Sequence, residues 1–450
     1  MRHLISMRAA CCAFILAGAC ALTLCAGPQG NLSVGAARVD VTPPADAALP
    51  MSGYSSRKQG FQKIRDHIYA RAIVLSDGTH QAAILSWELI GMPDGVWKEL
   101  SQRISKELGI PAENLILAAE HVHSAPTVAG AYTKGTPATI AYTVNLEDAA
   151  FEAVKQAKAN LQPARFGFGT GKSYVNINRR EHFPDGRWNL GANPEGPSDK
   201  TVAVLKFETL AGKPIALFIN YAVHGVVMGP NNLEVSGDLP GATSRFVEQY
   251  YNDEIPTRSD GGWDLQLQSR EKTSGVVALW TSGAAGDQNP IVMDSGEDFT
   301  MVDALGRILG EETVRVANRI KDLSPQANLW GSQRVIHCPG QKVVPGPHPR
   351  GVFKFEDAAP VNIRLSLLTL NNVALTGVSG EVLTPIYLRL EKESRFHNTI
   401  MVTHANGLSG YIPNDAAYKQ VSYEITTTHL KPGCAEGGIV NGLVDMMNHH

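Results

Sequence analysis

The sequence predicts an α/β fold, a mixed β-sheet core flanked by helices. Three observations carry that prediction. Apolar runs of strand length alternate with segments of helical period along almost the whole chain. The strands include both a tight hairpin and runs separated by helices, so antiparallel and parallel pairs are both expected. At 450 residues, 43% hydrophobic and 18% charged, the chain can bury a large core, which excludes a disordered, collagen-like or coiled-coil protein.

The elements follow in order. Ala37–Thr42 alternates as a half-buried strand does. Ala70–Leu75 and Gln81–Ser86 flank the turn pair Asp77-Gly78 and read as a hairpin. Val96, Leu100, Ile104 and Leu108 recur at helical spacing, and Pro111 opens a new segment. Asn114–Ala119 is a strand, and Asn145–Leu161 a helix with acidic residues in its first turn. Thr201–Phe207 and Ile215–Tyr221 form a second strand pair joined through Gly212-Lys213. Leu239–Tyr251 is a helix, Val276–Trp280 a strand and Phe299–Lys321 a long helix. The strands Val361–Leu370, Val373–Val378 and Thr399–Thr403 close the pattern. Asp253–Lys272 is polar and glycine-bearing and reads as a surface loop.

Residues 1–26 stand apart. Arg2 and Arg8 precede an apolar run from Ala9 to Leu24 and small residues near Ala26, the pattern of a cleaved export signal. No later run approaches the roughly 20 apolar residues of a spanning helix. The expected organisation is a signal peptide over 1–26 and a single catalytic domain over 27–450, exported to a periplasmic or extracellular compartment. A lipid anchor on Cys20 is the weaker reading. Four of the six cysteines lie in the signal, leaving Cys338 and Cys434, whose pairing the sequence leaves open. With 40 basic and 43 acidic side chains there is no basic field, so nucleic acid is not an expected partner.

Polar residues gather where strands end. Asn114–Ala119 runs into Glu120-His121-Val122-His123-Ser124, Ile215–Tyr221 into His224-Gly225, and Val276–Trp280 into Gly286-Asp287-Gln288-Asn289-Pro290. Val373–Val378 runs into Gly380-Glu381, and Thr399–Thr403 into Asn406, Gly410 and Tyr411. Loops beyond strand carboxyl ends are where sites assemble in open α/β sheets. In extended backbone residues i and i+2 point one way, so His121 and His123 are expected to face one site. Imidazole and carboxylate side chains suit zinc, so a zinc site on these loops competes with the plainer reading of core histidines bonded to carbonyls. His404 reads as structural. Gly171-Lys172-Ser173 lacks the upstream glycine of a phosphate-binding loop, and no Gly-x-Ser-x-Gly nucleophile elbow occurs.

Taken together, these motifs resemble the catalytic region of the neutral/alkaline (non-lysosomal) ceramidase family, exported zinc amidases, over roughly Val34 to Gly442. The opening Ala37-Arg38-Val39-Asp40-Val41-Thr42-Pro43-Pro44 with Met51-Ser52-Gly53-Tyr54 is similar to the family's. So are His121-Val122-His123-Ser124-Ala125-Pro126, Asn176-Ile177-Asn178-Arg179 and Asn193-Pro194. Ala222-Val223-His224-Gly225, Ser236-Gly237-Asp238, Gly380-Glu381, Gly410-Tyr411-Ile412 and Tyr423-Glu424 follow in the family order.

The resemblance implies zinc ligands at His121, His224, Glu381 and Tyr411, with His123 and Arg179 contacting substrate or assisting catalysis. It implies cleavage of the N-acyl amide bond of ceramide or a related N-acyl lipid by a zinc-activated water. Asp287 is expected to orient a group in the pocket. The expected partner is a small-molecule or lipid amide, met at most in transient contact with a membrane surface.

Two departures from the family stand out. Asn289 replaces a family serine, and an amide supplies no hydroxyl nucleophile or proton relay. A smaller β-rich C-terminal domain is not expected within these 450 residues. The departures keep two other readings open: a zinc hydrolase of the same fold acting on a different amide or ester, and an exported binding protein without activity.

Overall fold

The structure is a computed structural model that describes residues 30–252, 275–293, 298–345 and 352–449. The segment 1–26, the whole of Asp253–Lys272 and His450 lie outside the described residues.

Two β-sheets face each other, each with helices on its outer side. The larger sheet has eight strands: β1 (Ser33–Asp40), β2 (Tyr69–Ser76), β3 (Gln81–Trp87), β4 (Leu115–Ala119), β5 (Gln162–Lys172), β8 (Thr201–Thr209), β9 (Pro214–Tyr221) and β10 (Val277–Ser282). Their spatial order is β10-β9-β8-β5-β1-β2-β3-β4. Between β5 and β8 the chain forms the small hairpin β6 (Asn176–His182) and β7 (Trp188–Asn193). The second sheet has four strands in sequence order: β11 (Leu329–Val343), β12 (Phe355–Leu370), β13 (Val373–Val378) and β14 (Asn398–Val402). The pairs β3·β4, β9·β10 and β13·β14 are parallel and the remaining pairs within these two sheets antiparallel, so both sheets are mixed as expected.

Alternation along the strands builds the layers. Ile84, Ile116, Phe218 and Leu279 point into the space between the sheets, where they meet Leu368, Leu375, Ile400 and Val402. Their neighbours Leu85, Leu117 and Ala119 point outward against α1 (Asp94–Leu108) and α2 (Pro137–Ala159). Leu217, Ile219 and Trp280 pack against α3 (Asp238–Tyr251) and α4 (Thr300–Arg319). The second sheet's outer face is covered by α5 (Thr384–Glu393) and α6 (Ala435–Asn448). Cys338 of β11 and Cys434 at the start of α6 are disulfide-bonded.

Four strands that the sequence reading did not assign appear here, β5, β6, β7 and β11, together with the helices α5 and α6, and β12 begins at Phe355 rather than Val361. Gly171-Lys172-Ser173 falls at the end of β5, paired with β8, and forms no phosphate loop.

At one end a polar seam ties the two sheets. Asn406, with φ of +59°, receives a hydrogen bond from the Leu117 amide (2.8 Å) and donates to Leu115 O and Ser366 Oγ (both 2.8 Å). Asn220 donates to Met401 O (3.0 Å), and the Thr403 amide to Ser282 O (2.9 Å). This is the end where β4, β9, β10, β13 and β14 deliver their carboxyl-terminal loops.

Asn406→Ala would leave several buried backbone and hydroxyl groups without partners at a left-handed position that asparagine tolerates. It is expected to lower unfolding free energy in urea by about 3 kcal/mol; a change below about 0.5 kcal/mol would mean that the seam does not hold the sheets together.

Candidate metal centre

Five loops meet at the seam. The chain leaves β4 at Ala119, and His121 takes a φ of +58°. The extended backbone expected for the His121–His123 pair is therefore not what brings the rings together. The strand has already ended, and the turn at His121 sets the rings nearly perpendicular, with centroids 4.9 Å apart and Nε2 atoms 3.2 Å apart. His123 is fixed from behind. Its amide bonds to Gly225 O (3.0 Å), and the Tyr54 ring meets it edge-on at 5.1 Å. Gly53 lies so close that a Cβ there would sit 2.1 Å from His123 Nδ1, and its φ is +97°. Only glycine satisfies both demands.

His224 leaves β9 fully buried, with its amide on Gln288 O. Glu381 and Tyr411 are register partners in a short parallel ladder, Glu381–Val382 with Tyr411–Ile412, which brings both side chains to the same place.

Here the chemistry is decided by lone pairs. His121 Nδ1 lies 2.8 Å from Ile90 O, and His224 Nδ1 2.7 Å from Ala285 O. A carbonyl can only accept, so both Nδ1 atoms carry protons, and each ring turns its Nε2 toward Glu381. Glu381 Oε2 lies 3.2 Å from His121 Nε2 and 3.3 Å from His224 Nε2. Among the described residues, the buried Glu381 Oε2, His123 Nδ1 and His404 Nδ1 have no hydrogen-bond partner. Such a gathering of buried acceptors is costly unless protons or a cation sit among them.

Burial pushes the Glu381 carboxyl upward, but the facing His121 and His224 rings outweigh it and hold it well below the ordinary range. Burial, followed by the neighbouring charges, lowers His123 and His404, and brings His224 down to about 3. These three rings are neutral at pH 7, the state in which imidazole binds metal.

Two overlapping sets, His121–His123–His224 and His121–Glu381–His404, each hold their donor atoms within 4.8 Å. Imidazole nitrogen with carboxylate oxygen is a donor set that fits zinc. The backbone carbonyls behind His121 and His224 are the outer partners that orient metal-binding imidazoles.

Arg179 runs behind the cluster. Its Nη1 lies 3.1 Å from His224 Nε2 and donates to Asn289 Oδ1 (3.3 Å), its Nη2 donates to the Tyr411 hydroxyl (2.9 Å), and its Nε to Glu424 (2.8 Å). Burial works against its charge, but Tyr411 and Glu424 outweigh it and keep the guanidinium protonated. Burial raises the Tyr411 hydroxyl well above the ordinary range, with Arg179 opposing. Asp287 is spent on structure: it accepts from Thr384 N (3.0 Å), Thr384 Oγ1 (2.7 Å) and Asn178 Nδ2 (3.0 Å), and its carbonyl receives the Arg179 amide.

Thus His121, His123, His224, Glu381, Arg179, Tyr411 and Asn289 converge, with Asp287 one layer behind. Two residues that the sequence reading left out belong with them. His404, read there as structural, stacks on His121 at 4.0 Å. It ends a strand like the others, so the same signal pointed to it. Tyr132, whose hydroxyl donates to Glu381 Oε1 (2.8 Å), carried no sequence signal beyond its glycine-flanked loop.

Known proteins align with this arrangement. Residues 32–304 match the family described as neutral/alkaline non-lysosomal ceramidase, N-terminal. The chain is 27% identical to neutral ceramidase of Drosophila melanogaster over 349 residues, covering 70% of this chain and 48% of that protein. It is 27% identical to neutral ceramidase of Pseudomonas aeruginosa over 265 residues, covering 57% and 36%. The chain therefore spans about half or less of these relatives' length. A solved ceramidase complexed with C2 superposes with a TM-score of 0.74 at 18% identity, covering 93% of this chain and 75% of that one. The P. aeruginosa neutral ceramidase crystal structure gives 0.71 at 16% identity, covering 93% and 74%. At these identities the superpositions establish the fold.

Zinc added to chelated protein is expected to raise the melting temperature in a concentration-dependent way, worth about 4 kcal/mol at a thousandfold excess over Kd. Glu381→Gln keeps the shape and removes the charge, and should abolish most of that gain. Scanning calorimetry showing no zinc response in the unaltered protein would sink the metal reading.

Proposed function

The chain belongs to the neutral/alkaline non-lysosomal ceramidase family, and from that premise we propose that it is a zinc-dependent amidohydrolase acting on the N-acyl bond of ceramide or a related N-acyl lipid. The observation that carries this reading is the convergence of His121 Nε2 and His224 Nε2 on Glu381 Oε2, at 3.2 and 3.3 Å, with both rings oriented from behind by backbone carbonyls. His121, His224, Glu381 and the Tyr411 hydroxyl would hold the zinc. When bound there, zinc supplies Lewis acidity and lowers the pKa of a water to about 7.

The remaining work falls to this chain's own side chains. Arg179 is charged, buried and held by Glu424, so it can stabilise negative charge on a carbonyl oxygen without reorganising. His123 is neutral and fixed by Tyr54 and Gly225, which suits it to take a proton and pass it to the leaving nitrogen. Asp287 anchors Thr384 and the Arg179 amide, and so keeps the Glu381 and Arg179 loops in register.

An apolar chain on the substrate has support close by. A groove of about 380 Å³ is lined by Val96, Ala129, Ile140, Val144 and Leu408, with Asp94 and Glu147 also on its wall. Ala129 belongs to the loop that carries Tyr132, and Leu408 to the loop between His404 and Tyr411. Ile140 and Val144, one helical turn apart on α2, are about half exposed. The Cys338–Cys434 disulfide supports export to an oxidising compartment, as the sequence of residues 1–26 suggests.

One observation favours the second reading, a different amide or ester. Asn289 stands where the family has serine, and its carbonyl oxygen accepts from Arg179. A hydroxyl is thereby replaced by a group that holds the arginine and relays no proton.

Turnover is expected to be sensitive to 1,10-phenanthroline, and release of fatty acid from a short-chain ceramide decides between the readings. Chelator-sensitive hydrolysis of simple N-acyl amides or esters with ceramide untouched would select the second. Asn289→Ser is expected to raise ceramide turnover about tenfold if the amide is what restricts it. His224→Ala retaining both zinc and full activity would refute the assignment.

A further inference from the structure

The ligand candidates of the centre are buried: His121 is 3% exposed, His224 0%, Glu381 2% and Tyr411 9%. Tyr132 reaches from the outside to the carboxylate among them. Tyr132 is 55% exposed, yet its hydroxyl lies 2.8 Å from Glu381 Oε1. We propose that Tyr132 is the gate of the metal centre and the positioning residue of Glu381, a proposal that rests on the metal reading above.

The backbone favours such a device. Tyr132 has a φ of +64°, between Gly130 at +85° and Gly135 at +78°, in a turn closed by the Gly130 amide on Thr133 O. A bulky residue in the left-handed region is strained. The hydrogen bond to Glu381 holds the tyrosine there, so releasing the carboxylate also releases the strain. Opening is then a swing of one glycine-flanked turn, with the β-strands beneath unmoved.

The same bond divides the work of the Glu381 carboxylate. Oε1 accepts from Tyr132, which leaves Oε2 to face His121 and His224. Without the hydroxyl, the carboxylate is free to rotate and offer either oxygen, or both.

Positioning and gating make different kinetic demands. Loss of an orienting hydrogen bond speeds metal departure alone. Loss of a gate speeds both arrival and departure. The test is stopped-flow transfer of zinc between the full-length protein and a fluorescent chelator, in the unaltered protein, Tyr132→Phe and Tyr132→Gly. Tyr132→Phe keeps the ring and is expected to weaken zinc affinity about tenfold through faster release. Tyr132→Gly relieves the positive φ and removes the door, and is expected to raise the arrival and release rates each about tenfold or more. An unchanged or higher melting temperature of the chelated glycine variant establishes that it is folded. Zinc uptake with rates within twofold in all three proteins would overturn the gate while leaving the metal centre intact. Failure of the unaltered protein to take up zinc would overturn both.

Discussion

Everything at the candidate centre depends on a seam of hydrogen bonds between the two sheets. Their apolar faces, with Ile116, Phe218 and Leu279 against Leu375, Ile400 and Val402, supply most of the cohesion but little register. Hydrophobic contact is non-directional, and two sheets could slide over such a layer at small cost. Asn406, Asn220 and Thr403 remove that freedom by bonding across the gap to backbone atoms of β4, β10 and β14. The seam lies where β4 and β9 deliver His121 and His224 and the second sheet delivers Glu381, His404 and Tyr411. Ligands from different sheets can meet within 3.3 Å because the sheets are locked at that end.

Several motifs that look chemical in the sequence are architectural. Asp238, with φ of +48°, accepts from the amides of Val227, Met228 and Leu239 and from Ser124 Oγ. It fastens the loop after His224 to the loop after His123, so Ser236-Gly237-Asp238 serves the site without entering it. Below it, fully buried Arg71 pairs with Glu88 and Glu248. A Cβ on Gly237 would sit 2.0 Å from Glu88 Oε2, which explains the glycine. A buried ion network of this kind contributes little net stability against an apolar replacement. Its effect is to fix one arrangement of α3, β2 and β3 beneath the centre.

The fold class was legible because strand and helix periods are strong wherever one face is buried. Alternation marked β1, apolar runs flanking Asp77-Gly78 marked β2 and β3, and apolar residues at every fourth position marked α1. The misses have physical causes. β5 went unassigned because Gly167, Gly169 and Gly171 punctuate it, yet those glycines let α4 approach the strand closely. β6 and β7 are short and polar, and β11 mixes polar and apolar residues without period. Strand ends pointed to His121, His224, Glu381 and Tyr411, and the same rule held for His404. It was discounted because nothing in one sequence says which strand ends lie side by side. Tyr132 was beyond reach altogether, since its meaning comes from a contact 249 residues away in the chain.

The cluster's composition also explains why Arg179 lies so close to it. Three neutral imidazoles and one ionised carboxylate leave the interior acceptor-rich, and Arg179 supplies a fixed cation beside them. Its charge is anchored from the far side by Glu424, while Nη1 lies 3.1 Å from His224 Nε2 and Nη2 donates to the Tyr411 hydroxyl. Among the described residues, Glu381 Oε2 keeps no hydrogen-bond partner. A buried carboxylate oxygen left in that state is destabilising in itself. The fold retains it where the His121 and His224 rings face it, which is the arrangement expected where an external cation is to be bound.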